Sequence, residues 1–158
     1  MKEKKVFTYQ EIKQKMVNYC VYQDRCHQEV ERKMEEFVLI PEARDEILLY
    51  LIQERFLDEE RFTRSYIRGK FYIKHWGKIK ISLHLKQKGI TEKLMNKCMD
   101  EIQEEDYIQQ IYVYLEKLLF LPEKVNNPQE KKKAISFLLR KGYEYEKILN
   151  VINNLLCI

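Results

Sequence analysis

The residues of this chain that could do chemistry lie in one basic segment that also carries aromatic side chains. Residues 61–90 contain no Asp or Glu and carry nine Lys or Arg. The interleaved aromatic residues are Phe62, Tyr66, Phe71, Tyr72 and the only tryptophan, Trp76. Positive charge beside flat apolar surface is the composition that holds a polyanion. The segment therefore predicts a binding surface, and a solvated helix face neutralised by neighbouring helices is the alternative.

Ten side chains of this region are predicted to contact a partner or nucleic acid. Arg61, Arg64 and Arg68 fall at i, i+3 and i+7, so a helix places them on one face together with Tyr72. Guanidinium groups on such a face suit phosphate or carboxylate recognition. The full set is Arg61, Arg64, Arg68, Lys70, Tyr72, Lys74, Lys78, Lys80, Lys86 and Lys88.

The same helix is expected to turn another face to the core. Phe62, Tyr66 and Ile73 are predicted to point inward, away from the arginine row. Changing Arg64 and Arg68 to Glu is therefore expected to leave the core untouched, because exposed charge changes usually alter stability by no more than about 0.5 kcal/mol.

A second row follows on the next helix. Lys80, His84 and Lys88 stand at i, i+4 and i+8, where either a binding row or a solvated face is possible. Trp76 is interpreted mainly as a packing residue between units, with a base-stacking platform as the alternative. Gly69 lies inside a helix, which predicts a close approach of another helix.

Catalytic and metal-binding patterns are lacking. The three histidines do not form an H-E-x-x-H arrangement, the four glycines make no phosphate loop, and no Ser or Cys nucleophile lies near a plausible base. Cys26 and His27 could supply two zinc ligands, but no second pair in the sequence completes a site. The chain is therefore predicted not to be an enzyme and to need no cofactor or metal. Its cysteines are expected to be reduced and mostly buried: Cys20, Cys26, Cys98 and Cys157.

Composition sets the frame that positions these residues. The chain has 158 residues, of which 34% are charged and 45% hydrophobic, with only four Gly and three Pro. Few turn-forming residues favour long helices, so the predicted class is all-α. The N-terminus has no apolar run of signal-peptide length, and no stretch approaches a membrane span. We therefore expect a cytoplasmic protein.

Capping signals predict where the helices begin. Thr8 with Glu11 forms a capping box, and Asp24 is expected to cap a second helix. Pro41 suits the first turn of a third helix, and Asp58 caps the next one. Later start and stop signals are Gly89 with Thr91, Asn127 with Pro128, and Gly142.

One segment gives a conflicting signal. Ile79–Leu85 alternates apolar and polar residues, which is the period of a half-buried strand. No partner strand is evident elsewhere, and an isolated strand is not stable. On a helix, Ile79 with Leu83 and Ile81 with Leu85 form two apolar stripes. We therefore predict a helix that is buried on two sides.

A degenerate repeat organises the chain. The segment LKQKGI at residues 85–90 is echoed by LRKGY at residues 139–143, and more weakly by MEEFV at residues 34–38. This period fits a unit of three short helices, with units near residues 8–54, 55–104 and 105–156. Helix pairs in such units cannot bury their apolar faces alone, so one continuous curved core is expected.

The joint spacing of several motifs resembles that of a known family. The segment LYLIQERFLDEERF at residues 49–62 is followed by Trp76-Gly77 and by a helix that ends in KGI at residues 88–90. Together these resemble the signature of the RecX family of recombination regulators. The segment YCVYQDRCHQEV at residues 19–30 is similar to a second motif of that family. The resemblance covers nearly the whole chain.

Four positions depart from the family pattern. Phe56 stands where the family usually has Gly, Glu59 where it often has Asp, and Thr63 where Ala is common; Gln23 lies near the usual Arg. Phe56 implies that its turn does not use a left-handed glycine at that position.

The resemblance implies three tandem three-helix repeats in an elongated, curved array and a function without catalysis. Family members bind the RecA recombinase, chiefly as its filament on single-stranded DNA, and restrain filament growth, ATP hydrolysis and strand exchange. The expected partners are thus the RecA filament and, weakly or through the filament, single-stranded DNA; the protein is expected to be a monomer that binds no membrane. The competing interpretation is a direct DNA-binding regulator of the helix-turn-helix type, which shares short helices, tight turns and a basic helix.

Overall fold

The protein is all-helical, as predicted. The computed structural model describes residues 3–4, 6–120 and 122–156, and of Pro122 only the backbone. No strand occurs within these ranges. The helices are α1 (Tyr9–Tyr22), α2 (His27–Met34), α3 (Pro41–Gln53), α4 (Glu59–Arg68), α5 (Lys78–Gln87), α6 (Glu92–Cys98), α7 (Glu104–Leu118), α8 (Pro122–Val125), α9 (Pro128–Lys141) and α10 (Tyr145–Leu156). A π-helical turn (Gly69–Ile73) follows α4, and a 3₁₀ turn (Met99–Glu101) follows α6.

The longer helices fall into three groups of three along the chain. We call α1–α3 the first trio, α4–α6 the central trio, and α7, α9 and α10 the last trio. The four-residue α8 lies between α7 and α9 and was not predicted. The three-helix organisation is confirmed, while the unit boundaries near residues 54 and 104 stay predictions.

Local side-chain hydrogen bonds start four of these helices where the sequence indicates. Thr8 Oγ1 accepts from the Glu11 amide, and Glu11 Oε1 accepts from the Thr8 amide, both at 3.2 Å. The predicted capping residues Asp58, Thr91 and Asn127 also accept from first-turn amides. The prediction for Asp24 was wrong: α2 is capped by Cys26, whose amide donates to Glu29 Oε1 at 3.3 Å.

The buried apolar side chains form two cores rather than the one continuous core predicted. The first core lies within the first trio and the loops that flank α3, around Met16, Val30 and Leu51. The second core joins the central and last trios, around residues such as Leu85 and Tyr107. Polar contacts lie between the first and central trios; for example, the His27 amide donates to Glu59 Oε1 at 3.2 Å. The buried Cys26, just before α2, packs in the second core.

Helix α5 settles the conflicting segment. The helix predicted over Ile79–Leu85 is confirmed, since Lys78–Gln87 is α-helical. Only one of its two apolar stripes is buried: Ile81 and Leu85 are inaccessible, whereas Ile79 and Leu83 are each 54% exposed. Burial on two sides was therefore wrong, because no described element covers the second stripe.

The π-helical turn after α4 changes which side chains face inward. The Lys74 amide donates to the Gly69 carbonyl at 3.2 Å, a spacing of five residues instead of four. The wider turn rotates the following residues, so Phe71 is buried while Ile73 is 74% exposed. The inward orientation predicted for Ile73 was wrong for this reason. A close helix approach at Gly69 was also wrong, because a Cβ there would meet nothing within 4 Å.

Two glycines hold the central and last trios together. The Gly77 amide donates to the Lys141 carbonyl at 2.7 Å, and the Ile79 amide donates to the Gly142 carbonyl at 2.9 Å. A Cβ on Gly77 would overlap the backbone of Gly142. The start of α5 is thus joined backbone to backbone to the end of α9.

Buried tyrosines of the last trio extend this junction. The Tyr107 hydroxyl accepts from the Lys78 amide at 3.1 Å and donates to Glu144. The Tyr143 hydroxyl donates to the His75 carbonyl at 2.8 Å. Burial, followed by the Glu144 contact, raises the pKa of Tyr107 far above its ordinary value. Both phenols bond to the segment that precedes or starts α5, and this fixes the place of α5 on the last trio.

Candidate partner-binding surface

The arginine row of α4 is engaged within the molecule. Arg61 Nε contacts Asp24 Oδ1 at 2.8 Å, and the two Nη atoms donate to the carbonyls of Arg55 and Phe56, both at 3.1 Å. These bonds tie α4 to the loop before α2 and to the turn after α3. Arg55 has a φ of 59°, so it is the left-handed residue of that turn. Phe56 does not adopt the left-handed conformation, as the sequence implied.

Arg64 and Arg68 pair with the end of the central trio. Arg64 contacts Asp100 at 2.9 Å, Glu101 at 3.1 Å and Glu60 at 3.2 Å, and Arg68 contacts Glu101 at 3.0 Å. The hydrogen bonds to Asp100 and Glu101 raise the pKa of Arg64. Glu at positions 64 and 68 would place like charges together, so we expect this double change to destabilise the protein, in contrast to the expectation from the sequence alone. The binding role of the row stays a prediction.

Two further predicted contact residues also bond internally. The Tyr72 hydroxyl donates to Asp106 Oδ2 at 2.7 Å and accepts from the Gln103 amide at 3.3 Å. Lys78 Nζ lies 3.4 Å from Glu104 Oε2. Five of the ten predicted residues thus hold helices together in this structure.

These ion pairs make stability depend on pH. Hydrogen bonds from Lys97 and then from Arg64 lower the pKa of Glu60. The hydrogen bond from Arg68 is the main cause that lowers the pKa of Glu101, and the one from Lys147 is the main cause for Glu104. Because the pKa of each of these carboxyl groups is lower in the folded protein, the unfolded chain binds more protons in acid. The stabilisation is therefore complete above the carboxyl pKa of the unfolded chain, about 4.3, and is lost as the pH falls through the pKa values of the folded protein.

We therefore expect the free energy of unfolding, measured by urea denaturation, to fall between about pH 5 and pH 3. The double variant Arg64→Gln, Arg68→Gln should be less stable at pH 7 and lose less on acidification. An equal acid dependence of parent and variant would show that the pairs of Arg64 and Arg68 with Glu60 and Glu101 contribute nothing to it. Lys74→Gln is the control, because its exposed ammonium belongs to no ion pair of the described residues.

Other predicted cations gather around two aromatic rings. Lys70 Nζ lies 4.7 Å from the Trp76 ring centroid and 5.2 Å from that of Tyr66. Lys80 Nζ lies 4.3 Å from Trp76, and Lys88 Nζ lies 5.9 Å from Tyr66. We call these five residues, together with His84, the aromatic–cation cluster. The His84 ring contacts Trp76 with centroids 4.7 Å apart, so the predicted Lys80–His84–Lys88 row is brought together here.

The charge of this cluster is not compensated by carboxylates. Within the described ranges, no ion pair includes Lys70, Lys80 or Lys88, nor the exposed Lys74 and Lys86. Partly exposed aromatic faces beside free ammonium groups can stack a base or a planar side chain and hold a phosphate or carboxylate. Tyr66 was predicted both as one of the aromatic residues among the cations and as a side chain that points to the core, and its ring is partly buried against the second core.

The Trp76 ring packs against the core and also forms part of the aromatic–cation cluster. The ring is partly buried against the second core, which agrees with the packing role expected of it. Its backbone amide donates to the Lys70 carbonyl at 2.9 Å, so the π-helical turn delivers Lys70 and Trp76 to the same place. The cluster therefore rests on a fixed backbone.

The cysteines of the described ranges, Cys20, Cys26 and Cys98, are buried and free, while Cys157 lies outside those ranges. Burial raises the pKa of Cys20 and that of Cys26 to about 11, which makes both thiols unreactive near neutral pH. The described part of the chain shows no group of three metal-ligating side chains. Within it, every helix is too short or too polar to cross a membrane.

Two family models match most of the chain. Residues 58–99 match the second three-helix domain of RecX, and residues 104–152 match the third. Regulatory protein RecX of Clostridium tetani is 30% identical over 119 residues, covering 71% of this chain and 52% of the relative. That of Bacillus cytotoxicus is 25% identical over 132 residues, covering 84% and 49%. The chain spans about half the length of these relatives.

Solved structures share the fold. The crystal structure of RecX from Lactobacillus salivarius superposes with a TM-score of 0.85 at 24% identity, covering 95% of this chain and 97% of that one. A second crystal structure, of regulatory protein RecX, gives a TM-score of 0.79 at 21% identity and covers 92% and 71%. The helical arrangement described above is therefore that of known proteins.

Proposed function

This chain belongs to the RecX family, and from that membership we propose that it is a regulatory protein that binds the RecA recombinase filament on single-stranded DNA. Binding restrains filament growth, ATP hydrolysis and strand exchange. The curated relatives it matches are named regulatory proteins, which supports a role that involves no catalysis by this chain. The place of action is the cytoplasm.

The observation that carries the proposal is the aromatic–cation cluster. Its ammonium groups lack carboxylate partners in the described ranges, so they are free to meet phosphates or acidic side chains. Each phosphate neutralised adds to binding and to its salt dependence without reading sequence. A surface of this kind suits a filament, which presents a repeating anionic strand beside protein.

The test is a titration of RecA's DNA-dependent ATP hydrolysis with this protein. We expect the rate to fall at substoichiometric to equimolar ratios, while the protein alone hydrolyses no nucleotide. A rate that stays constant across the full titration with the matching RecA contradicts the proposal.

A binding comparison separates the helix-turn-helix alternative. A filament regulator should bind RecA on single strands without a strong sequence preference, whereas a helix-turn-helix regulator should prefer one duplex sequence over others. Selective binding to a duplex, with none to the filament, favours that alternative.

A further inference from the structure

The first trio contains an aromatic, basic pocket that is separate from the cluster of the central trio. Its cavity measures about 370 Å³, within the range of ligand sites. The lining holds four aromatic residues, three cations and one amide, and no carboxylate: Phe7, Lys15, Asn18, Tyr19, Tyr22, Arg25, Lys33 and Phe37.

One wall of this pocket is a stack of flat groups. The Arg25 guanidinium lies 3.7 Å from the Tyr19 ring centroid and 6.0 Å from that of Tyr22. Arg25 Nε also donates to the Tyr19 carbonyl at 3.1 Å, which fixes the guanidinium in place. Tyr22 at the end of the stack is 81% exposed. Its free face is a platform for another planar group.

Cations surround the platform. Lys33 Nζ lies 5.7 Å from the Tyr19 ring, and Lys15 Nζ lies 4.5 Å from the Phe7 ring. Lys33 pairs with Glu36, and Arg25 lies 3.7 Å from Glu29, so part of this charge is neutralised. Lys15 takes part in no ion pair of the described ranges.

The pocket also holds one oriented amide. Gln14 Nε2 donates to Asn18 Oδ1 at 2.9 Å, which leaves the Asn18 amide nitrogen as a donor for a ligand. A stacking face, a free ammonium and an amide donor together match a planar base with an attached phosphate.

We propose that this pocket binds one nucleotide unit, with its base stacked on Tyr22 and its phosphate held by Lys15. The unit comes from a single strand or from a free nucleotide. The site does not depend on the proposed regulatory function, because it lies on the first core, whereas Trp76 packs on the second.

The experiment is an NMR titration of the full chain with two probes, a 5′-phosphorylated trithymidylate and thymidine 5′-monophosphate. The side-chain amide of Asn18 reports on the pocket, and the indole N–H of Trp76 reports on the aromatic–cation cluster. We expect the Asn18 signal to shift. Equal affinity for both probes identifies a free nucleotide, and tighter binding of the trithymidylate identifies a strand; either result supports the site.

Variants test the roles of the two named residues. Tyr22→Ala should weaken binding at Asn18 by about 5- to 150-fold, because stacking contributes about 1 to 3 kcal/mol per base. Tyr22→Phe should retain it, and Lys15→Ala should lower the salt slope by about 0.7. Tyr145→Ala is the control, since Tyr145 is also exposed, at 52%, but lies on α10.

Three results would overturn this assignment. In the first, the Asn18 signal stays unmoved by both probes; if the Trp76 signal shifts in the same titration, the proposed function survives while the pocket fails. In the second, Tyr22→Ala binds like the parent. In the third, an acidic peptide that contains tyrosine shifts the Asn18 signal and the nucleotides do not, which indicates a protein partner.

Discussion

Changing Lys80 and Lys88 together to Glu is expected to weaken binding to the RecA filament on the order of 100-fold, because two attractive contacts to an anionic partner become repulsive. The salt dependence of the remaining binding should also fall, by roughly one in slope for each phosphate that is no longer neutralised. Neither lysine has a carboxylate partner in the described ranges, so removing the two ammonium groups leaves no carboxylate unpaired. The measurement is a filament-binding titration at two salt concentrations.

The control changes the same net charge elsewhere. Lys93 and Lys117 are exposed and take part in no ion pair among the described residues, so Lys93→Glu with Lys117→Glu matches the change of charge without touching the cluster. Both double variants should keep the free energy of unfolding to within about 1 kcal/mol. If the cluster variant binds like the parent, the lysines are merely solvated and the partner surface lies elsewhere.

Local signals were sufficient to predict most of the fold. The capping box at Thr8 and the cap at Asp58 are formed by residues three apart in sequence, so their geometry follows from the chain itself. The helix over Ile79–Leu85 was predicted from the absence of a partner strand, which is also a property of the sequence. Its exposed stripe was not predictable, because burial depends on which helix packs beside it.

The arginine row shows where sequence reasoning about the site stops. Residues 61–90 contain no acidic residue, yet Arg64 is surrounded by carboxylates in the structure. Asp100 and Glu101 come from beyond the end of α6, more than thirty positions along the chain. A local count of charge cannot detect partners that tertiary packing supplies.

The arrangement of the lysine row follows from the sequence, while its binding role stays a prediction. The helical period of α5 places Lys80, His84 and Lys88 on one face, and Trp76 lies just before that helix. The π-helical turn was not predicted from the sequence. That turn places Lys70 against the same ring, and it also turns Ile73 outward.

The largest effect on folding is expected from Gly77→Ala. Gly77 has φ −76° and ψ 166°, which any residue adopts, so the substitution carries no conformational strain of its own. Its new Cβ would instead overlap the carbonyl of Gly142 and the amide nitrogen of Tyr143. Backbone atoms cannot move aside as a side chain can, and the hydrogen bond from Gly77 to Lys141 at 2.7 Å holds the two segments together.

We therefore expect Gly77→Ala to lower the free energy of unfolding by about 3 kcal/mol or more, through separation of the central and last trios. Gly69→Ala is the matched control, because Gly69 has helical dihedrals and open space around a Cβ. It should raise stability by about 0.4 to 1 kcal/mol by restricting the unfolded chain. Urea denaturation of both variants measures the difference. Equal stability of Gly77→Ala and the parent would mean that the two trios do not depend on this backbone contact, and that the apolar second core alone holds them together.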